Sequence, residues 1–493
     1  MARNNHLLGV AQSPDLSQWA DPTHYQAAEN PVYRNNPLIE ALPPPWSAKE
    51  VVSLLKHYPE FEPNQRWLSE EVRLDLIENV AQVFQPLNEH ITLQRRFARA
   101  IRGGYVGRDL FDIPTVEKTA ARLQARSKQQ RGRALARGFY IIGMSGMGKT
   151  TSTEEILKLY PQVLWHDEYQ GRPLMRAQVS WLKLECPHDG SPRSLCFAFF
   201  AALDRLLGTN YYAAYARNGR ATVAKMQIYM AFLCELVNIG LLVIDEIQHL
   251  NQAKSGGAEA MLNFFVGLSN TIRIPVVLIG TYHAFDIFTR EFRQMRRGVR
   301  QGNFIWKRMK QNDPSWLALL QGIWKYQYLH QPAELTADLN DALYYVTQGI
   351  TDLLVTVFIL AQERAITSGV ETLTPHLIYS VAADSMEIAY QPLEDIRQNA
   401  ASLQTYDDVL PPLEWQNAYA RHPKALGQAD ELEVVDQALV EIEAPTPHLV
   451  PSDQDLRRNL VKEENGQNTY ERLKASGNIA EALDYVPQEG VAC

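Results

Sequence analysis

The sequence predicts an α/β protein built on a parallel sheet flanked by helices, and three observations predict it. Short apolar runs recur at FYIIG (139–143), VSWLKL (179–184), LLVID (241–245) and VVLIG (276–280), and helical stretches separate them. Strands that alternate with helices imply crossover connections and hence a parallel sheet. The first run leads into a glycine-rich loop and then into a helical stretch, TSTEEILKLY. That strand–loop–helix order is how a chain presents backbone N–H groups to phosphate. Finally, the chain has 493 residues, 46% of them apolar and 21% charged. Such a mix affords two or three globular domains and excludes wholesale disorder.

Taken in order, residues 1–46 are rich in Asn, Pro, Gln and Ala and run into LPPPWS (42–47). They read as an arm, docked through Trp46. Ser47 with Glu50 three residues on forms a capping-box pattern, so a helical module opens there and runs over 47–105. Further helices fit 69–83 and 87–102. Residues 106–313 hold the alternating α/β pattern. Helix returns over 314–390, including LLVTVFILAQERAI (353–366), and reads as a helical lid. Residues 391–493 form an acidic, Pro-interrupted tail with short helical patterns near 432–442, 453–463 and 468–484. No internal repeat is visible.

The net charge of −8 is unevenly spread. Residues 401–493 hold 17 acidic and 7 basic groups, leaving 39 acidic and 41 basic groups in residues 1–400. The acidic total therefore comes from the tail, and a local basic patch for nucleic acid remains compatible with it. No apolar run approaches the roughly 18 residues of a membrane span, and the N-terminus has no long apolar leader segment. The four cysteines (186, 196, 234 and 493) show no CxxC pairing. They fit a reducing compartment without disulfides or a zinc site.

The strongest chemical signal is Gly143-Met144-Ser145-Gly146-Met147-Gly148-Lys149-Thr150, a full G-x-x-x-x-G-K-[ST] match, followed by Thr151. Its glycines let the backbone wrap a phosphate, Lys149 would contact the β- and γ-phosphates of ATP, and Thr150 would ligate Mg²⁺. In GLLVIDEIQHL (240–250) an apolar strand ends in two carboxylates. Asp245 would hold Mg²⁺ through water and Glu246 would polarise the attacking water. The alternative is that Glu246 caps the next helix. In IGTYHAF (279–285), Thr281 ends a third apolar strand beside the expected γ-phosphate position. Its hydroxyl can orient the water, or it can cap a helix. A basic cluster follows: Arg290, Arg293, Arg296, Arg297 and Arg300. Arg296 or Arg297 could reach a neighbouring subunit's γ-phosphate as an arginine finger; the other readings are a solvated basic face or DNA contact.

Together these motifs resemble an AAA+ ATPase: Walker A, Walker B with Asp-Glu, a polar sensor, an arginine cluster and a helical lid. More narrowly, the chain resembles the TniB/TnsC family of ATPase regulators of DNA transposition. The residues that carry this are NPLIEALPPPWS (36–47), IRGGYVGRD (101–109), GMSGMGKTT, VIDEIQHL, IGTYHAF, the Arg296-Arg297 pair and TQGITDLLVTVFILAQERAI. They span about residues 31–386. The resemblance implies ATP-bound subunits that assemble as filaments or rings on double-stranded DNA. It implies that they link a target selector of the TniQ/TnsD kind to a transposase of the TnsA/TnsB kind. Hydrolysis of ATP, with Mg²⁺, would disassemble them and limit repeated insertion at one site, in the bacterial cytoplasm and away from membranes. One departure stands out. Many AAA+ lids carry an arginine after a glycine, whereas here Gly349 is followed by Ile-Thr-Asp and no arginine appears before Arg364. That fits a slow switch better than a motor.

By analogy with initiator-like AAA+ proteins, whose insertion after the second strand faces DNA, the DNA-contact candidates are Arg193, Thr209, Arg217, Arg220 and Lys225. A second basic stretch is ARLQARSKQQRGRALARG (121–138). With no base-reading motif, such binding would be sequence-tolerant and salt-sensitive. Trp181, Trp306, Trp316 and Trp324 read as core or interface anchors rather than base-stacking platforms. The 12 histidines show no metal-ligand spacing. Competing functions are a helicase-loader or replication-initiator ATPase, a P-loop small-molecule kinase, and a scaffold that binds nucleotide without hydrolysing it.

Overall fold

A run of apolar residues without polar interruption is stable only in a strand covered on both faces, and the central sheet is made of such runs. In the computed structural model, strands β1 (Gly138–Gly143), β5 (Leu242–Asp245) and β6 (Val276–Gly280) are buried at every position. Residues 25–108, 110, 114–121, 138–216, 221–252, 265, 269, 274–284 and 299–398 are described. All fall within one compact unit, Met1–Asp436; a second, Gln437–Cys493, lies outside the described residues.

With β4 (Leu182–Glu185) and β7 (Val299–Trp306) the sheet has five strands in the order β4-β5-β6-β1-β7, every pairing parallel. After β1 the chain leaves for the β4 edge, then returns strand by strand until β6 lies beside β1 (Ile141 opposite Ile279). β7 pairs on the other side of β1. The strand order therefore reverses at β1, and a crevice opens at the carboxyl end of that strand. The loop that follows β1 is the glycine-rich one.

Before the sheet come α1 (Pro37–Glu40), α2 (Ala48–Leu55), α3 (Glu70–Ile77) and α4 (Asn88–Tyr105). Ser47 caps α2 in a reciprocal box, its backbone N–H donating to Glu50 at 2.7 Å. The long α4 lays Ile91, Phe97 and Ile101 onto the sheet, with Phe97 edge-on to Phe139 at 5.1 Å. Trp46 packs on Tyr160 at 5.4 Å. Helix α5 (Lys149–Lys158) leaves the phosphate loop. After β4 come α6 (Pro192–Leu207), α7 (Tyr211–Tyr215) and α8 (Val223–Leu236). The lid consists of α9 (Pro314–Trp324), α10 (Ala337–Thr347), α11 (Thr351–Thr367) and α12 (Pro375–Ser385), followed by α13 (Glu387–Gln398). Among the described residues no helix is long and apolar enough to cross a membrane.

Two strand readings change. The single strand expected over 179–184 is two: β3 (Arg172–Val179) pairs antiparallel with β2 (Val163–Tyr169) in a separate hairpin, and β4 begins at Leu182. At the break, Ser180 donates its N–H to Gln162 O, and Val179 O accepts from Gly240 N–H. β7 escapes the apolar pattern because Arg300, Gln301 and Asn303 interrupt it. It forms as a strand because β1 supplies its hydrogen-bonding partner. The tail patterns expected after residue 398 lie outside the described residues.

Candidate functional site

At the switch point the loop after β1 turns through two left-handed glycines, Gly146 (φ +75°) and Gly148 (φ +79°). Side chains with a Cβ rarely adopt that geometry. Gly148 is the N-cap of α5, and no side chain caps that helix. Its first-turn N–H groups thus carry the positive end of the helix dipole without a side-chain cap. Lys149 is buried and lies back along its own loop, donating from Nζ to Gly143 O (3.0 Å) and Met144 O (2.7 Å).

β5 delivers its carboxylates to the same place. Asp245 is 2% exposed and its Oδ2 accepts from Thr150 Oγ1 at 2.9 Å. A hydroxyl and a carboxylate this close form a hard oxygen pair that fits Mg²⁺, which is usually held by one or two carboxylates plus phosphates and water. Glu246 sits in the left-handed region (φ +57°), and its N–H donates to Asp245 Oδ1 at 2.9 Å. Non-glycine residues held there store strain and concentrate at functional sites. β6 brings Thr281, 6% exposed, whose Oγ1 has no hydrogen-bond partner among the described residues although it is buried. Such an orphaned hydroxyl costs free energy unless something fills its valence.

All these groups line one cavity of about 440 Å³. Its walls also include residues to which the sequence reading gave no part in the site: Phe84, Gln85 and His90 from the helical module, Gln248 after β5, and Leu319, Thr351 and Asp352 from the lid, with the buried Trp306 of β7, expected as a core anchor, beside them. Only the tertiary fold brings the module to this loop. His90 links them: its Nδ1 accepts from Leu87 N–H (2.8 Å) and its Nε2 lies 2.9 Å from Ser152 Oγ. Nδ1 as acceptor makes Nε2 the protonated nitrogen. Burial holds the imidazole pKa down to about 3, so it is neutral. From the lid, Asp352 N–H donates to Gly146 O at 3.0 Å. The lid therefore meets the phosphate loop through Thr351 and Asp352 at the start of α11. Arg364 is turned to α12, bonding Ser380 and Asp384.

A second unforeseen group is Lys183 on β4. Its ammonium contacts Glu154 Oε1 and lies 3.3 Å from Asp245 Oδ2. Burial opposes its charge, but the two carboxylates outweigh that and hold its pKa above the usual value. Cys186, at the end of the same strand, is pushed up to about 12, first by burial and then by Asp189 and Glu246. It remains a thiol.

The DNA-contact candidates are spread along the insertion after β4. Arg193 lies in the first turn of α6, donating to Ala221 O (3.0 Å) and stacking over Phe197 at 5.2 Å. That bond sets the start of α6 beside the start of α8, where exposed Lys225 lies over Tyr229 at 5.8 Å. Thr209 is past the other end of α6, roughly 24 Å along the axis. It is buried, and its hydroxyl donates to Asp204 Oδ1 at 2.7 Å. Arg217 and Arg220 lie outside the described residues, as do Arg290, Arg293, Arg296 and Arg297, while Arg300 falls in β7. The tryptophans are structural here: Trp316 is fully buried and bonds Asn340, Trp324 bonds Ala333 O, and Trp181 bonds Tyr160 O.

A parallel sheet in this order, with a phosphate loop at its reversal point and a helical lid beside it, is the fold of an AAA+ P-loop NTPase. Residues 133–288 match the family model described as an AAA domain. Among solved structures, the chain is similar to the ORC2 protein of Aeropyrum pernix in ADPNP–ADP complexes, at 14% identity. That match covers 67% of this chain and 94% of that one, with a TM-score of 0.36. A Walker-type ATPase of Pyrococcus abyssi matches at 13% identity over 59% and 80% of the two chains, with a TM-score of 0.35. Drosophila ORC bound to DNA matches at 14% identity over 70% and 84%, with a TM-score of 0.32. A search of curated proteins finds no match.

Proposed function

We propose that the chain hydrolyses ATP and acts as a DNA-assembling regulator of transposition. The observation that carries the ATPase reading is the convergence of Lys149, Thr150, Asp245, Glu246 and Thr281 on one cavity. Residues 143–151 wrap the phosphates, Lys149 offsets β/γ charge, and Thr150 with Asp245 holds Mg²⁺, which neutralises charge on the phosphate oxygens when bound. Glu246 takes the proton of the attacking water. Thr281 orients that water through its unfilled hydroxyl. Arg296 or Arg297 is offered to the neighbouring subunit's site. Arg193, Arg217, Arg220 and Lys225 track phosphates of duplex DNA; Thr209, buried with its hydroxyl held by Asp204, is not one of them.

The transposition reading rests on the LPPPWS and YVGRD segments and on the lid phrase. In that reading the assembled chains bridge a target selector of the TniQ/TnsD kind and a transposase of the TnsA/TnsB kind. A lid without a cavity-side arginine, with Asp352 against Gly146 instead, favours slow turnover and hence a timed switch.

The test is Glu246→Gln in the full chain with duplex DNA. Nucleotide and Mg²⁺ binding should persist while hydrolysis falls by about 10²-fold or more, and DNA-bound assemblies should outlast those of the wild type. Wild-type turnover would remove Glu246 from the mechanism, and faster disassembly would refute the switch.

A further inference from the structure

Two groups in the cavity are held by a third, Gln248, to which the motif that contains it assigns no role. The Gln248 carboxamide donates from Nε2 to Glu246 Oε2 and accepts the Thr281 backbone N–H on Oε1 at 3.2 Å. Only one amide orientation satisfies both contacts, because a carboxylate needs a donor and a backbone N–H needs an acceptor. The space for that side chain is set by β6: a Cβ added at Gly280 would lie 3.0 Å from Gln248 Oε1. Gln248 also lines the cavity itself.

We propose that Gln248 is a positioning residue for hydrolysis, a strut that fixes the Glu246 carboxylate and ties it to the end of β6 at Thr281. The inference rests on the reading of Glu246 as the general base. A carboxylate on a backbone at φ +57° has no strand or helix of its own to hold it. Its direction toward water is then set by the hydrogen bond it accepts. Because the same amide grips the Thr281 backbone, a shift of β6 at the γ-phosphate position moves the base with it. The strut thereby couples nucleotide sensing to the aim of the base without touching phosphate.

Gln248→Met keeps length and volume and removes both bonds. In the full chain with duplex DNA, single-turnover hydrolysis should fall about 10- to 100-fold, the loss expected when a reacting group is misplaced by about 1 Å. The Kd for ATP·Mg²⁺ should stay within about twofold, because no phosphate or metal contact is lost. Gln248→Asn, an amide too short to span both partners, should show the same split and serves if the Met variant does not fold. Adding Gln248→Met to Glu246→Gln should cost little more than Glu246→Gln alone, since the strut acts through that carboxylate. Wild-type turnover in both Gln248 variants, beside an inactive Glu246→Gln, would overturn the strut and leave the base standing. A parallel loss of nucleotide affinity, or fully additive losses, would mark a merely structural role and overturn it too. An active Glu246→Gln would overturn the base and the strut together.

Discussion

Removing the guanidinium of Arg73 should cost about 3 kcal/mol, because it is the buried tie between the helical module and the lid. Arg73 on α3 is 3% exposed and grips Glu371 with two parallel bonds of 2.7 Å, while Nη1 also donates to Tyr328 O at 3.0 Å. Glu371 further accepts the His330 backbone N–H at 3.1 Å. Arg73→Met deletes three hydrogen bonds and leaves a carboxylate with 14% side-chain exposure and, among the described residues, His330 as its remaining side-chain ion-pair partner. Breaking a buried pair from one side costs about 3–5 kcal/mol, and the partial exposure of Glu371 places this case at the lower end. Removing both charges, in Arg73→Met with Glu371→Met, should cost only about 1 kcal/mol, since no unpaired charge remains. The assay is urea unfolding of the full chain at neutral pH, followed by tryptophan fluorescence. Trp67 stacks on His330 at 4.8 Å and so reports from beside the pair. A double-mutant cycle should give a coupling of about 2 kcal/mol or more. A loss under about 0.5 kcal/mol for Arg73→Met, or a coupling near zero, would refute the reasoning. The Arg73 hydrogen bond holds the Glu371 carboxyl below its usual value against the opposing effect of burial, with help from the His330 N–H. A lowered carboxyl pKa contributes stability that is full above the unfolded value of 4.5. It is lost as pH falls through the lower folded value.

Two further expectations concern the cavity. Lys183→Met should tighten Mg²⁺ binding in the presence of ATP by about fivefold, near 1 kcal/mol, because a cation 3.3 Å from Asp245 both repels the metal and competes for its ligand; an unchanged or weaker Mg²⁺ requirement in a titration of hydrolysis against metal would count against it. His90 is neutral in the fold with a pKa near 3 but takes a proton below about 6.5 when unfolded, so stability should fall as pH drops from 6.5 toward 3, by about 1.4 kcal/mol per pH unit. His90→Gln should remove that slope, measured as the wild-type-minus-variant difference in unfolding free energy from pH 6.5 to 4, and parallel curves would refute the assignment.

Local chemistry made the phosphate loop and the strand-end carboxylates legible in the sequence. Gly146 and Gly148 are required by two left-handed turns, and a helix starts at Lys149 without a side-chain cap from Gly148. Asp245 and Glu246 end a run that can only be a buried strand. These are short-range constraints, so adjacent residues encode them. The Ser47–Glu50 capping box is local in the same way. The cavity's other walls depend on contacts between distant segments. His90 meets Ser152 across 62 positions, Asp352 meets Gly146 although every strand after β1 lies between them in the chain, and Lys183 reaches Asp245 only because β4 and β5 pair in register. β7 has a polar-interrupted pattern, and its strand conformation is imposed by β1. Gln248 lay inside a quoted motif, yet nothing in its spacing reveals that its amide spans Glu246 and Thr281, 35 positions apart in the chain. Sequence periodicity reports which face of an element is buried; which elements face each other is decided by the closing of the sheet and the packing of the lid and module over its carboxyl end.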